Sequence, residues 1–553
     1  MSEGVAKNRV GFKSTVYWIC IVASLGGLLF GLDQGFIANA LPTIDLAYGL
    51  TLAEGETYSG ILAWGAIIGA LLSGFFARFL GRKKSLIFAG FLFTAMTIIS
   101  AFLPAMPIMS ACRFVLGFAV GVASFIVPLY LAETAPTKIR GAMGTLFQLM
   151  ITIGIFGISV SNVVLIRYVV NESARLPVMF LVITVFALVM FLGAIFIPES
   201  PRWLMLKKRK KEANAVLLKV LNTQEEVDLE LKEIQEAISS SSPGLGAVFT
   251  GSFIKVLFVG ILMMMFQQLV GINMMIYYAP TIFGYAAITG LLGMMTVPTV
   301  NMLFTFPAIW LVEKWGRKKL LYIGAVMMGI TMLAAGMVFN STAKYEAPVD
   351  KALAQYLQAD TAKKAKIATS LKSSLAYQYP TLSGVLSDKI FLEKVKNYLS
   401  SKNTGSNTYK KEENFFDTET QAAKFKDLGS LIPNSSKNIL LVSIIVYIFG
   451  FAFSWGPIAW LICSEFFPLA GREVGMTITT MVNWLFAGIV MTYSLSFMKA
   501  HGNASIFFVF AGGCLLSIFF LALFVPETKG VTLEEIEKNL KNGKKLRNLG
   551  VID

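Results

Sequence analysis

The chain has 553 residues, of which 55% are hydrophobic and 15% charged, and its mean hydropathy is +0.66; that is too little charge to cover a water-facing surface, so a soluble globular protein is excluded. The net charge of +15 gathers in short runs at the ends of apolar blocks, which is the bias of cytoplasmic membrane loops and gives no reason to expect a nucleic-acid partner. A single histidine, His501, and four cysteines (Cys20, Cys112, Cys463, Cys514) at unrelated spacings inside apolar blocks supply no metal centre, no disulfide framework and no nucleophile–base set, so neither an enzyme nor a cofactor is expected.

Residues 1–15 are polar, lack a cleavable signal pattern and read as a cytoplasmic N-terminus. Apolar blocks follow, each long enough for a hydrocarbon core of about 30 Å, and each must be a helix because its backbone has no water to bond. Twelve spans are expected. The first six cover about 16–41, 58–80, 85–104, 108–131, 141–164 and 176–197, making an N-terminal bundle over 16–197. A polar, helix-prone linker occupies 198–252. The second six cover about 253–285, 287–312, 319–340, 438–463, 475–497 and 503–525, a C-terminal bundle over 253–525 with an insertion at 341–437. Residues 526–553 form the C-terminal tail. The short loops 41–57, 105–107 and 286–287 carry no Lys or Arg, whereas those on the other side carry clusters, which sets both termini in the cytoplasm and the insertion outside. The Lys- and Ser-rich composition of the insertion suits either a small folded cap or a disordered segment.

The two sets of six are copies. Gly81-Arg82-Lys83-Lys84 after the second span returns as Gly316-Arg317-Lys318-Lys319 after the eighth, about 235 residues on. Glu133-x-x-Pro136-x-x-x-Arg140 after the fourth returns as Glu465-x-x-Pro468-x-x-x-Arg472 after the tenth, and Pro198-Glu199-Ser200 as Pro526-Glu527-Thr528, each about 330 residues on. The fold class is therefore an all-α membrane protein with twelve transmembrane helices in two pseudo-symmetric six-helix bundles, the jump in offset locating the enlarged loop.

Three sets of side chains carry chemistry. Arg82, Glu133, Arg140, Glu199 and Arg202, repeated as Arg317, Glu465, Arg472 and Glu527 with Glu313 nearby, can bridge cytoplasmic helix ends and act as gating salt bridges; a partly exposed pair contributes about 1 kcal/mol or less, which suits a gate between two states of similar energy. Asp33, the sole acid of the first span, and Arg113 at comparable depth in the fourth form a candidate proton-coupling pair, since an intramembrane carboxylate is costly and titrates with its partner's position. Gln148, Gln267, Gln268, Asn273, Asn301 and Asn483 offer donors and acceptors inside the spans, and Trp455, Trp460 and Trp484 offer flat apolar faces; together they suit a neutral polyhydroxylated ligand. The glycines of the first and fourth spans, among them Gly26, Gly27, Gly31, Gly35, Gly117 and Gly121, fit close helix packing.

With Arg113-x-x-x-Gly117-x-x-x-Gly121, Pro128-x-Tyr130-x-x-Glu133-x-x-Pro136-x-x-x-Arg140-Gly141, Pro198-Glu199-Ser200-Pro201-Arg202-Trp203-Leu204, the stretch from Gln267 to Pro280, and Pro526-Glu527-Thr528-Lys529-Gly530, the chain resembles the sugar porter family of the major facilitator superfamily over about 16–340 and 438–537. The resemblance implies that Gln148, Gln267, Gln268, Asn273, Asn301 and Trp460 contact the sugar, and that Phe30, Trp455, Asn483 and Trp484 stand at further pocket positions. Asp33 and Arg113 match the proton-coupling pair of the family's bacterial sugar–proton symporters, where facilitative glucose carriers have Asn in place of the acid. The expected function is proton-coupled import of a monosaccharide by alternating access, by a monomer in a plasma (bacterial inner) membrane. An uncoupled hexose or polyol uniporter is the alternative and a non-transporting sugar sensor a remoter one; the sugar itself is not legible. Two departures stand out: Arg78 and Phe79 occupy positions where the family has Asp or Asn and then Arg, and Glu473 follows Arg472 where Gly is usual.

Overall fold

In hydrocarbon the peptide groups have only each other to bond, so the apolar blocks fold as helices. The computed structural model describes residues 13–136, 139–168, 172–240, 251–285, 291–358, 434–467, 471–529, 531, 538–540 and 542–549. The first half comprises α1 (Ser14–Tyr48), α2 (Leu52–Phe79), α3 (Arg82–Ala101), α4 (Met106–Thr134), α5 (Arg140–Tyr168) and α6 (Glu172–Phe196). Three short helices follow: α7 (Pro201–Leu206), α8 (Lys210–Val220) and α9 (Gln224–Ser240). The second half comprises α10 (Gly251–Leu269), α11 (Ile272–Tyr285), α12 (Leu291–Trp315), α13 (Arg317–Gln358), α14 (Asn434–Phe453), α15 (Trp455–Phe466), α16 (Arg472–His501) and α17 (Ser505–Leu523). Among the described residues twelve spans are long and apolar enough to cross a membrane, with α10–α11 and α14–α15 each making one of them.

The duplication shows in the packing. Within the first half α1 packs on α5, α2 on α4 and α3 on α6; in the second α10 packs on α16, α12 on α14 and α13 on α17. These are the same pairings one repeat later. The halves meet where α2 lies against α16 and α5 against α12, with α1 also touching α11. Helix contacts are close because small residues let backbones approach: a Cβ on Gly117 would lie 1.9 Å from the Leu62 carbonyl oxygen, and one on Gly65 2.0 Å from that of Phe114. Large apolar side chains such as Phe75, Phe91, Val185 and Phe519 face outward, as a lipid-facing surface requires.

Several expected limits move. The loop expected at 41–57 shrinks to three residues, 49–51, because α1 continues to Tyr48, closes on left-handed Gly49 (φ 65°), and Thr51 then starts α2 with a capping box. In that box the Glu54 carboxylate accepts from the Thr51 N–H at 2.8 Å while Thr51 Oγ1 accepts from the Glu54 N–H at 3.4 Å. Hydropathy ends a span where polar residues begin; capping ends the helix itself. Likewise α13 runs to Gln358, past the expected end of the ninth span, and 359–433 of the insertion lie outside the described residues.

The seventh and tenth spans, expected as continuous helices, are broken. Gly271 separates α10 from α11 with φ 97°, a conformation that side-chain-bearing residues avoid, and its Cβ would meet the Phe510 ring at 2.5 Å. Ser454 separates α14 from α15, and Pro457 denies the Phe453 carbonyl its helical N–H partner. Below the bundle, Trp203, Leu204, Val216, Leu217, Val227 and Ile234 of α7–α9 form a separate small core, tied to the bundle where Trp203 Nε1 donates to the Arg78 carbonyl (3.2 Å) and Lys13 Nζ to that of Leu218 (2.5 Å).

Candidate functional site

The charged pair comes together between α1 and α4. Arg113 Nη1 reaches Asp33 Oδ1 at 3.2 Å and Nη2 reaches Oδ2 at 3.4 Å, while Nε donates to the Tyr58 carbonyl at 2.9 Å. The guanidinium also stands 5.1 Å from the centre of the Tyr58 ring. Both partners are 2% exposed. A buried pair of this kind is held by mutual attraction against desolvation, and removing one partner strands the other at a cost of about 3–5 kcal/mol.

Next to it runs a chain of amides that crosses the boundary between halves. Gln34 Nε2, one residue after Asp33, donates to Asn273 Oδ1 (3.1 Å), and Asn273 Nδ2 donates to Gln268 Oε1 (2.5 Å). Gln268 Nε2 donates to Gln267 Oε1 and to Asn483 Oδ1, each at 3.2 Å, and Asn483 Nδ2 donates to Gln267 Oε1. Gln267 Nε2 donates to the Trp455 and Gly456 carbonyls at 3.4 Å, in the first turn of α15 just past the break. Asn273 approaches Gln268 across the turn at Gly271, whose own N–H bonds the Gln268 carbonyl at 2.9 Å.

Buried polar atoms without a hydrogen-bond partner among the described residues include Trp484 Nε1, one residue after Asn483, and both amide atoms of Asn301 on α12. Such atoms cost free energy unless a ligand or water meets them. Phe30 packs on Trp484 with ring centres 4.9 Å apart, bringing the two halves' aromatic faces together, and Phe147 stands 6.3 Å from Trp460. Gln148 is buried on α5. Trp455 is fully buried in the second half, with Nε1 donating to the Leu321 carbonyl (3.1 Å).

At the other end of α2, Arg82 opens α3 and pairs with Glu133 of α4: Nη2 to Oε1 at 2.7 Å and Nε to Oε2 at 2.9 Å. Ser200 Oγ donates to the same Glu133 carboxylate at 2.5 Å. Glu199 does not meet the guanidinium but accepts the N–H groups of Arg82 (2.8 Å), Lys83 (3.2 Å) and Ser200 (2.9 Å), an acid at a helix N-terminus. Burial pushes the Glu199 carboxyl above its ordinary range, against the pull of those N–H groups. The second half repeats the arrangement, with Glu527 accepting from the N–H groups of Arg317 and Lys318 at 3.0 Å. Arg317 and Arg472 are buried and reach the carbonyls of Val312 and Phe467 at 3.4 Å. Arg202 lies beside the cluster with its Nε unpartnered among the described residues. The side chains of Arg140, Glu313 and Glu465 lie outside the described residues. Glu473, noted only as a departure, proves a member: its Oε1 stands 3.1 Å from Arg82 Nη2, an ion pair between halves.

Two further residues escaped the sequence reading. Gln34 is an amide inside an apolar span, the same signal that drew attention to the others. Glu56 fell two residues before the expected start of the second span, and the capping box at Thr51 would have moved it inside.

The family model described as sugar (and other) transporter matches residues 19–356 and 422–540. The galactose-proton symporter of Escherichia coli (strain K12) is 35% identical over 547 residues, covering 98% of this chain and 98% of that protein. The arabinose-proton symporter of the same organism is 32% identical, covering 97% and 95%. The solved structure of the MFS proton:xylose symporter bound to 6-bromo-6-deoxy-D-glucose matches with a TM-score of 0.70 at 25% identity, covering 95% of this chain and 99% of the other. Matched in family, length and fold, the chain belongs to the sugar porter family of the major facilitator superfamily, and is a multi-pass membrane transporter rather than an enzyme.

Proposed function

We propose that the protein imports a neutral monosaccharide together with protons, by alternating access of one site between its two halves. The observation that carries this reading is the Asp33–Arg113 pair, buried at 2% exposure beside an amide chain that holds no other charge. The relatives named as galactose-proton and arabinose-proton symporters support it. Arg113 pairs with the Asp33 carboxylate; protonation of Asp33 releases Arg113 to its Tyr58 contacts and frees α1 to move against α4. Gln34 links the residue after Asp33 to Asn273, so the charge state of the pair is felt in the amides that meet sugar hydroxyls. Gln148, Gln267, Gln268, Asn273, Asn301 and Asn483 bind those hydroxyls, and Phe30, Trp460 and Trp484 take the ring's apolar face, while Trp455 supports Gln267 from behind.

In this reading the Arg82 end of the bundle, the helices α7–α9 and both termini are cytoplasmic, and the insertion is external. One chain contains the whole path and is the functional unit. Asp33→Asn in reconstituted vesicles tests the coupling: sugar exchange persists, while accumulation driven by an imposed pH gradient is lost. Undiminished gradient-driven accumulation in that variant would sink the assignment and leave uniport. A competition panel against one labelled sugar then identifies the substrate.

A further inference from the structure

Glu56 lies five residues into α2, is 1% exposed, and has no ion-pair partner among the described residues. Its donors all belong to the other half: the Leu495 N–H at 2.5 Å, the Ser496 N–H at 3.0 and 3.1 Å, and the Ser496 hydroxyl, all on α16. These N–H groups sit well inside α16 and not in its first turn, so the carboxylate is no helix cap. One helical step is held at both ends: Glu56 takes the Leu495 N–H, and the buried Tyr278 hydroxyl of α11 donates to the Met491 carbonyl. The seam below is tight. A Cβ on Gly60 would strike Thr492 Oγ1 at 2.0 Å, one on Gly488 would lie 3.3 Å from the Ala63 Cβ, and one on Gly74 3.1 Å from Thr477 Oγ1. At its far end Arg82, which opens α3 just after α2 ends, pairs with Glu473 of α16.

A carboxylate in this position has two comfortable environments, the α16 donors with the seam shut or water with the seam open, and a costly one in between. We propose that Glu56 is the latch of the outer gate, closing the extracellular end of the path by gripping the α16 backbone, with Tyr278 as its second tooth. The proposal rests on the sidedness adopted above for its word "outer" and on nothing else from that reading.

The test uses the full-length protein with Ala63→Cys as reporter, a buried position on the same seam, and a membrane-impermeant maleimide applied to intact cells and to inverted vesicles. Glu56→Gln, which keeps size but turns an acceptor into a donor facing N–H groups, raises the labelling rate in intact cells about tenfold, a shift of about 1.4 kcal/mol. Ser496→Ala and Tyr278→Phe raise it less and keep the carboxylate, so they serve if Glu56→Gln does not reach the membrane. Glu473→Gln, which loosens the opposite end, lowers it. Unchanged labelling in Glu56→Gln while Glu473→Gln responds overturns the latch, and so does an equal rise from both sides, which signals general loosening. A rise confined to inverted vesicles keeps the latch and reverses the sidedness alone.

Discussion

Asn301 is buried on α12 with neither amide atom partnered among the described residues. On the proposed function this is the cost of a site for hydroxyls when nothing fills it, since an unpartnered buried polar group costs about 1–3 kcal/mol. Asn301→Leu should therefore have opposite effects on stability and binding. The sugar-free protein gains about 1 kcal/mol and melts higher, whereas sugar affinity falls about tenfold. A melt with and without sugar reads both; a drop in both quantities would mean that Asn301 holds helices together instead. Asp45 gives a second prediction at this scale. It stands in the last turn of α1, beyond the span, where the helix dipole disfavours an acid, and its Oδ1 is buried without a partner among the described residues. Burial pushes its carboxyl up to about 6. A raised carboxyl binds more protons folded than unfolded, so it costs stability as pH rises from about 4 through about 6, and the cost is complete above that. Discounted for partial exposure, it amounts to about 1 kcal/mol at pH 7.5. Asp45→Asn should raise the melting temperature at pH 7.5 and leave it nearly unchanged at pH 4; a pH-independent gain would assign the effect to packing.

At the scale of the helices, the sequence made legible what hydropathy controls. Length and apolarity announce twelve spans because lipid demands them, and the motif offsets reveal the duplication that the packing pairs α1/α5 and α10/α16 repeat. The breaks at Gly271 and Ser454 were hidden because each lies inside a stretch apolar enough to read as one span, where hydropathy does not mark a change of backbone. Yet both stand at the amide chain, since one brings Asn273 to Gln268 and the other starts the turn of α15 whose carbonyls meet Gln267. Gln34 and Glu56 were passed over for a related reason. Each is a polar residue whose partner lies in the other half, and contacts such as Gln34 with Asn273 or Glu56 with Ser496 follow from tertiary packing that no local pattern encodes. Glu199 and Glu527 were recognisable as repeat members, but that they grip backbone N–H groups rather than guanidinium groups depended on where α3 and α13 begin.

Across the whole molecule the duplication is not carried through to the charged cluster around Arg82. The residue after Arg472 is Glu473, whereas its counterpart after Arg140 is Gly141, so the second half reaches Arg82 with an acid that the first half does not return. Arg82 thereby serves two carboxylates, Glu133 within its own half and Glu473 across the seam. The two ends of the α2–α16 seam consequently differ in kind. Glu56 is enclosed, while the Glu473 side chain is 37% exposed. A pair with one partner open to water contributes about 1 kcal/mol or less and is partly screened as the Debye length shortens from about 8 Å at physiological salt to about 3 Å at 1 M. On the proposed sidedness, Glu473→Gln opens the cytoplasmic end no more than about fivefold, read as faster labelling of Ala63→Cys in inverted vesicles. Raising the salt to 1 M should bring the parent to the same rate and leave Glu473→Gln where it was, while the Glu56→Gln effect in intact cells persists. If the Glu473→Gln effect survives high salt undiminished, the pair acts through packing rather than charge, and the cytoplasmic end is held by the helix-terminal grips of Glu199 and Glu527 instead.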